Sequence, residues 1–143
     1  VDKKTQPLAV ITGGASGIGL SAVKDFKMRA MITDTQANKD AGEESVNNLK
    51  SDTCNVNFAY CDITNHAQID TVFADLQANN RAAHVLVNCA GISPALNPLH
   101  QYSVEEWHRT IDINLHGTFY ACREFLKLAT AQKIDAGAIV NVA

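Results

Sequence analysis

The sequence predicts an α/β protein, a doubly wound parallel sheet with helices on both faces. Three observations predict it. Short apolar runs at 8–12, 30–34, 54–60, 84–88 and 137–143 alternate with longer stretches of helical periodicity. Most of these runs are continuously apolar rather than alternating, as strands covered on both faces require. The first run leads at once into a loop with four glycines in seven positions, from Gly13 to Gly19.

Taken in order, LAVIT (Leu8 to Thr12) is the first buried strand, and the glycine loop follows it. Ile18, Ala22, Val23 and Phe26 then recur at helical spacing. AMIT reads as a second strand ending at Asp34, and residues 36–50 as a polar helix. CNVNFAY (54–60) is the third strand, and 66–79 a helix with Ile69, Val72, Phe73 and Leu76 on its apolar side. HVLVN (84–88) is the fourth strand. A turn-rich stretch containing Pro94 and Pro98 leads to Ser103, an N-cap with Glu106 three residues on. One long helix is expected from there to about Gln132, broken near Asn114 and Gly117, with Val104, Trp107 and Ile111 on its core face. GAIVNVA (137–143) opens a fifth strand. No repeat, linker or low-complexity segment divides the chain, so residues 1–143 read as one domain.

Composition excludes several classes of function. With 46% apolar and 19% charged residues the chain has the balance of a globular domain. Its net charge of -3 provides no basic excess to neutralise phosphates, so no nucleic-acid partner is expected. No apolar run approaches a membrane span, and VDKKTQP lacks the apolar core of a signal peptide. Cys54, Cys61, Cys89 and Cys122 show no C-x-x-C spacing, which predicts free thiols in a reducing cytoplasm. His66, His84, His100, His108 and His116 have no metal-ligand spacing, and no metal is expected.

The glycine loop is where a ligand is expected, because doubly wound sheets bind beyond the carboxyl ends of their strands. Gly13 can take the angles of a tight turn, and Gly17 lets the main chain approach a ligand. Gly19 removes a Cβ that would hold the new helix off the sheet. The helix start offers unpaired N–H groups to an anion, and Ser16 adds a hydroxyl. No Gly-Lys-Ser/Thr follows, so the loop is not a P-loop.

The spacing T-G-x-x-x-G-x-G (Thr12, Gly13, Gly17, Gly19) resembles the cofactor loop of the classical short-chain dehydrogenase/reductase family. Three further segments share the likeness: CDIT (61–64), NCAG (88–91) and DINLHGTF (112–119). The resemblance implies a Rossmann-like sheet, incomplete with about five strands, and a nicotinamide dinucleotide held by Gly13, Ser16, Gly17, Ile18 and Gly19. Asp34, ending the second strand, would accept hydrogen bonds from both adenosine ribose hydroxyls. A 2′-phosphate about 4 Å away would cost roughly 4 kcal/mol per unit charge at an effective dielectric of 20. That is on the order of a thousandfold in affinity. Neither Ser16 nor Thr35 is basic, so NAD is expected over NADP. Asp62 and Ile63 resemble the pair flanking the adenine, and Asn88, Ala90 and Gly91 the segment lining the ribose. Asn88 has a second reading, a tie between adjacent strands. Cys89 stands where the family usually has a second asparagine.

The implied activity is hydride transfer between the nicotinamide and a small secondary alcohol or ketone. Asn114 matches the family's catalytic asparagine, holding a water through its side chain or through a carbonyl freed by a kink. The family's serine would follow Ala143, and its Tyr-x-x-x-Lys about a dozen residues later. Tyr60, Tyr102 and Tyr120 have Thr64, Glu106 and Glu124 four residues on, so the chain is expected to lack the C-terminal catalytic portion. A catalytically silent dinucleotide-binding module, a sensor or subunit, is the alternative; a flavodoxin-like regulator would cluster its acids near the first strand. The uncharged loop from Ile92 to Leu99 is expected to border the substrate. No Gly, Pro or Asn turns the chain between Phe26 and Ala30, where several further residues are expected. The family also implies a homodimer or homotetramer, with the helix at 103–132 in one interface.

Overall fold

The computed structural model describes residues 7–26, 29–35, 38–49 and 55–143. Five strands form one parallel sheet: β1 (Leu8–Thr12), β2 (Arg29–Asp34), β3 (Val56–Tyr60), β4 (Ala83–Asn88) and β5 (Ala138–Asn141), in the order β3-β2-β1-β4-β5. Helices α1 (Gly17–Phe26), α2 (Lys39–Leu49), α3 (His66–Ala78), α4 (Val104–Ile111) and α5 (Thr118–Ala131) connect and cover them. The expected doubly wound architecture is the observed one. Residues 27 and 28, on which the expectation of further residues between Phe26 and Ala30 falls, lie outside the described residues, as does Cys54.

The continuous apolar run of β1 follows from its place in the middle of the sheet. Leu8 and Val10 enter a core with Ile69, Leu76, Leu86, Phe125 and Leu128, beneath α3 and α5. Ala9 and Ile11 enter the opposite core with Val23, Val46 and Val56, beneath α1 and α2. Every residue of β1 is buried, so no position is left for the polar face of an alternating strand. Winding runs outward from β1 to β2 and β3, then returns to β4 on the other side. The switch in direction therefore falls between β1 and β4.

Local signals fix the helix starts. Asn65 caps α3 by accepting from Ala67 N (3.1 Å) and Gln68 N (3.4 Å). Ser103 caps α4 by accepting from Glu106 N at 3.0 Å, as its position ahead of Glu106 predicts. The break expected near Asn114 and Gly117 is a π-helical turn, Asp112–Gly117, that joins α4 to α5 without interruption. The expected core face of α4 needs correction: Val104 is 64% and Trp107 56% exposed, and none of its residues is buried. The helix continues directly into the π turn and makes no extensive contact with a described strand, so its apolar side has no sheet beneath it.

Candidate functional site

At the carboxyl ends of the strands, over the switch point, lies a crevice of about 790 Å³ walled by Gly13, Gly17, Asp34, Asp62, Ala90 and Arg109 among others. Its floor is the glycine loop. Gly13 N donates to Thr33 O (2.8 Å), drawing the loop over the end of β2. Gly13 has φ +64°, and a Cβ there would lie 2.8 Å from Ala90 N, so the turn requires glycine for both conformation and space. Gly17 has φ +51°, but a Cβ there would meet nothing within 4 Å. The space that a side chain would take there is open. A Cβ at Gly19 would lie 2.3 Å from Gly13 O. Expected to admit the helix to the sheet, Gly19 instead admits α1 to the turn of its own loop. Ser16 and Ile18 are exposed and line the crevice beside it.

Thr12 holds the switch point together. Its Oγ1 accepts from both Cys89 N and Ala90 N at 3.2 Å, pinning the segment after β4 to the end of β1. Ala90 and Gly91 consequently border the crevice.

The Asp34 carboxylate is buried and held by three donors. Oδ1 accepts from Thr35 N (2.8 Å) and from Asn38 Nδ2 (2.9 Å), while Oδ2 accepts from Ala15 N (3.2 Å). It therefore bridges the glycine loop to the start of α2. Sequence reasoning located the acid but missed Ala15 and Asn38. An asparagine four residues after a strand-end aspartate was the available signal.

Asp62 accepts on Oδ1 from Thr64 N (2.9 Å) and Thr64 Oγ1 (2.8 Å), and its own N–H donates to Gln68 Oε1 (2.7 Å). Ile63 is buried beside it, and both line the crevice. Cys61 precedes them. Burial, and secondarily the neighbouring Asp62 carboxylate, push its thiol up to about 12. Cys89 in the crevice wall is also pushed up by burial, and both sulfurs are neutral thiols at physiological pH.

Asn88 and Asn114 each carried two readings. Asn88 is 3% exposed, and its Nδ2 donates to Asn141 Oδ1 (2.8 Å) and Cys122 Sγ (3.3 Å). Asn88 thus ties β4 to β5 and α5, the second of its two readings, and is not among the crevice-lining residues. Asn114 spends its side-chain amide on a reciprocal pair with Ile92: Ile92 N donates to Oδ1 and Nδ2 donates to Ile92 O, both at 2.9 Å. Its main-chain carbonyl, the other group expected to hold a water, lies in the π turn and accepts from Thr118 Oγ1 at 2.9 Å.

Sequence reasoning also missed one wall. Glu105, His108, Arg109 and Asp112 line the crevice from α4 and the turn after it. Their i, i+3, i+4, i+7 spacing marked a common helix face. Asp112 meets His116 Nδ1 at 2.9 Å. Among the described residues lining the crevice there is neither tyrosine nor lysine. None of the described helices is long and apolar enough to cross a membrane.

Comparison with known proteins places this geometry. The model of the family described as short chain dehydrogenase matches residues 7–143. A 3beta-hydroxysteroid dehydrogenase from Mediterraneibacter gnavus is 31% identical over 138 residues, 96% of this chain and 49% of that protein. A galactitol 2-dehydrogenase from Rhizobium johnstonii is 31% identical over 134 residues, 94% of this chain and 51% of that protein. The chain therefore spans about half the length of the curated relatives it matches. A solved short-chain type dehydrogenase/reductase from Mycobacterium ulcerans superposes with a TM-score of 0.83 at 25% identity, covering 96% of this chain and 50% of that one.

Proposed function

This chain belongs to the short-chain dehydrogenase family, and from that premise we propose that its crevice binds NAD for an oxidoreductase acting on a secondary alcohol or ketone. The observation that carries the reading is a bare main-chain cradle opening beside a fixed carboxylate. Gly17 leaves the space, the start of α1 supplies N–H groups to a pyrophosphate, and Asp34 faces the position of the adenosine ribose. The residues fit such a group, since Gly17 lines the crevice and a Cβ there would meet no protein atom within 4 Å.

When bound, the nicotinamide supplies hydride chemistry at its ring carbon. The chain's own residues orient it. Asp62 and Ile63 flank the adenine, Ala90 and Gly91 pass close to the ribose, and Thr12 fixes the height of that segment. Asn114, through its carbonyl, holds a water for proton delivery, while its amide locks the loop after β4. The acid–base group itself comes from outside the described crevice wall, which carries no tyrosine or lysine. Titrating the full-length protein with NAD⁺ and NADP⁺ tests the reading. Tighter NAD⁺ binding is expected, and equal or tighter NADP⁺ binding would overturn the cofactor assignment. Following reduced-nicotinamide absorbance with a panel of secondary alcohols tests turnover.

A further inference from the structure

We propose that Asn38 is a second specificity-determining residue of the crevice, acting with and through Asp34 to select an unphosphorylated adenosine ribose. The proposal rests on the dinucleotide reading above. An ionised carboxylate has about four acceptor positions. Thr35 N and Asn38 Nδ2 occupy Oδ1 at 2.8 and 2.9 Å, and Ala15 N occupies one position of Oδ2 at 3.2 Å. One position remains, on Oδ2. A ribose diol brings two hydroxyl hydrogens, so the carboxylate held in this way accepts one and a neighbour must accept the other.

Asn38 is that neighbour. It lines the same crevice, and donating from Nδ2 leaves its amide oxygen as an acceptor. Its backbone is set independently, Asn38 N donating to Thr35 O at 3.0 Å immediately before α2. Asp34 Oδ2 and the Asn38 amide oxygen together accept the two hydroxyls. A 2′-phosphate carries no hydrogen to donate near neutral pH and meets acceptors at both places. The bond from Asn38 Nδ2 to Oδ1, with those from Thr35 N and Ala15 N, also holds the carboxylate plane against turning away from an approaching phosphate.

Asn38→Ala and Asn38→Asp, in the full-length wild type and in an Asp34→Asn background, test this by calorimetric titration with NAD⁺ and NADP⁺, with a thermal melt to confirm folding. Asn38→Ala should weaken NAD⁺ about tenfold and NADP⁺ by less than about twofold, narrowing the preference. Asn38→Asp replaces the Nδ2 donor to Oδ1 with an acceptor and adds charge; it should weaken both cofactors, NADP⁺ about a hundredfold more than NAD⁺, widening it. In the Asp34→Asn background, Asn38→Ala should still weaken NAD⁺, by about threefold, because the direct acceptor is lost while the part acting through the Asp34 charge is already gone. Parallel loss of both cofactors, shifts of the ratio in one direction for both variants, or no shift would overturn the proposal. Failure of the wild type to bind either cofactor would sink the dinucleotide reading itself, and is seen before any variant is made.

Discussion

Gly17 and Asp34 carry most of the site, one by what it lacks and the other by where it is held. At Gly17 a side chain would meet no protein atom within 4 Å, yet φ of +51° penalises any L residue by roughly 1–2 kcal/mol. Gly17→Val is therefore expected to lower the melting temperature by only a few degrees while abolishing dinucleotide binding, measured by calorimetry. Retained affinity would show that nothing approaches the main chain there. Asp34→Asn removes the charge but keeps the shape. The ratio of NADP⁺ to NAD⁺ dissociation constants should fall by on the order of a thousandfold toward parity. Both residues were legible in the sequence because each requires a residue type at a fixed place. Asn38 was missed although it follows Asp34 by only four residues, because an asparagine ahead of a helix has many uses and the coordinates are what bring its amide to 2.9 Å from the carboxylate.

Elements entered by a cap or an apolar period were read well; those shaped by tertiary contact were not. Ser103 was found as an N-cap because capping is local. Ser103→Ala should cost about 1 kcal/mol in chemical denaturation, without altering cofactor affinity more than about twofold. The π turn at 112–117 carries no comparable local signal, since Asn114 and Gly117 suggested only a break. Its shape depends on a distant partner: a Cβ at Gly117 would lie 2.6 Å from Ile63 Cγ1 and 3.1 Å from Ile63 O. Ile63 is also a crevice wall. Gly117→Ala should thus destabilise by about 1–3 kcal/mol in denaturant melts, and weaken NAD⁺ as Ile63 is displaced. A change in stability with unaltered affinity would separate the turn from the site. The exposed side of α4 was misread for the same reason. Periodicity gives an apolar face, but not whether a sheet lies under it.

For the molecule as a whole, the doubly wound parallel sheet was legible because continuous apolar strands joined by helices leave few topologies, while the order β3-β2-β1-β4-β5 is known from the structure alone. Which side chains enter the crevice was less so. Asn88 and Asp34 both end parallel strands, yet one points across the sheet to Asn141 and the other toward the glycine loop. Burial of the same core sets the behaviour at alkaline pH. Cys61 is raised to about 12 in the folded state, while in the unfolded chain it ionises near 9. The unfolded state alone loses this proton between those values. The stabilisation from a neutral buried thiol is therefore complete below pH 9 and declines as pH rises toward 12. Denaturation midpoints should fall across that window, and less so in Cys61→Ala. At pH 8, Cys61 should resist alkylation in the native protein and react after unfolding, as mass spectrometry of the labelled peptide would show.

The central claim is that the carboxyl ends of β1, β2 and β4 hold an adenine dinucleotide by its pyrophosphate and its unphosphorylated ribose. The most direct measurement is titration of NAD⁺ into isotope-labelled full-length protein, followed by amide chemical shifts. The account predicts saturable changes at residues 13–19, at Asp34 and Asn38, at Asp62 and Ile63, and at Ala90 and Gly91. Saturable binding that leaves the amides of residues 13–19 and Asp34 unmoved would contradict it.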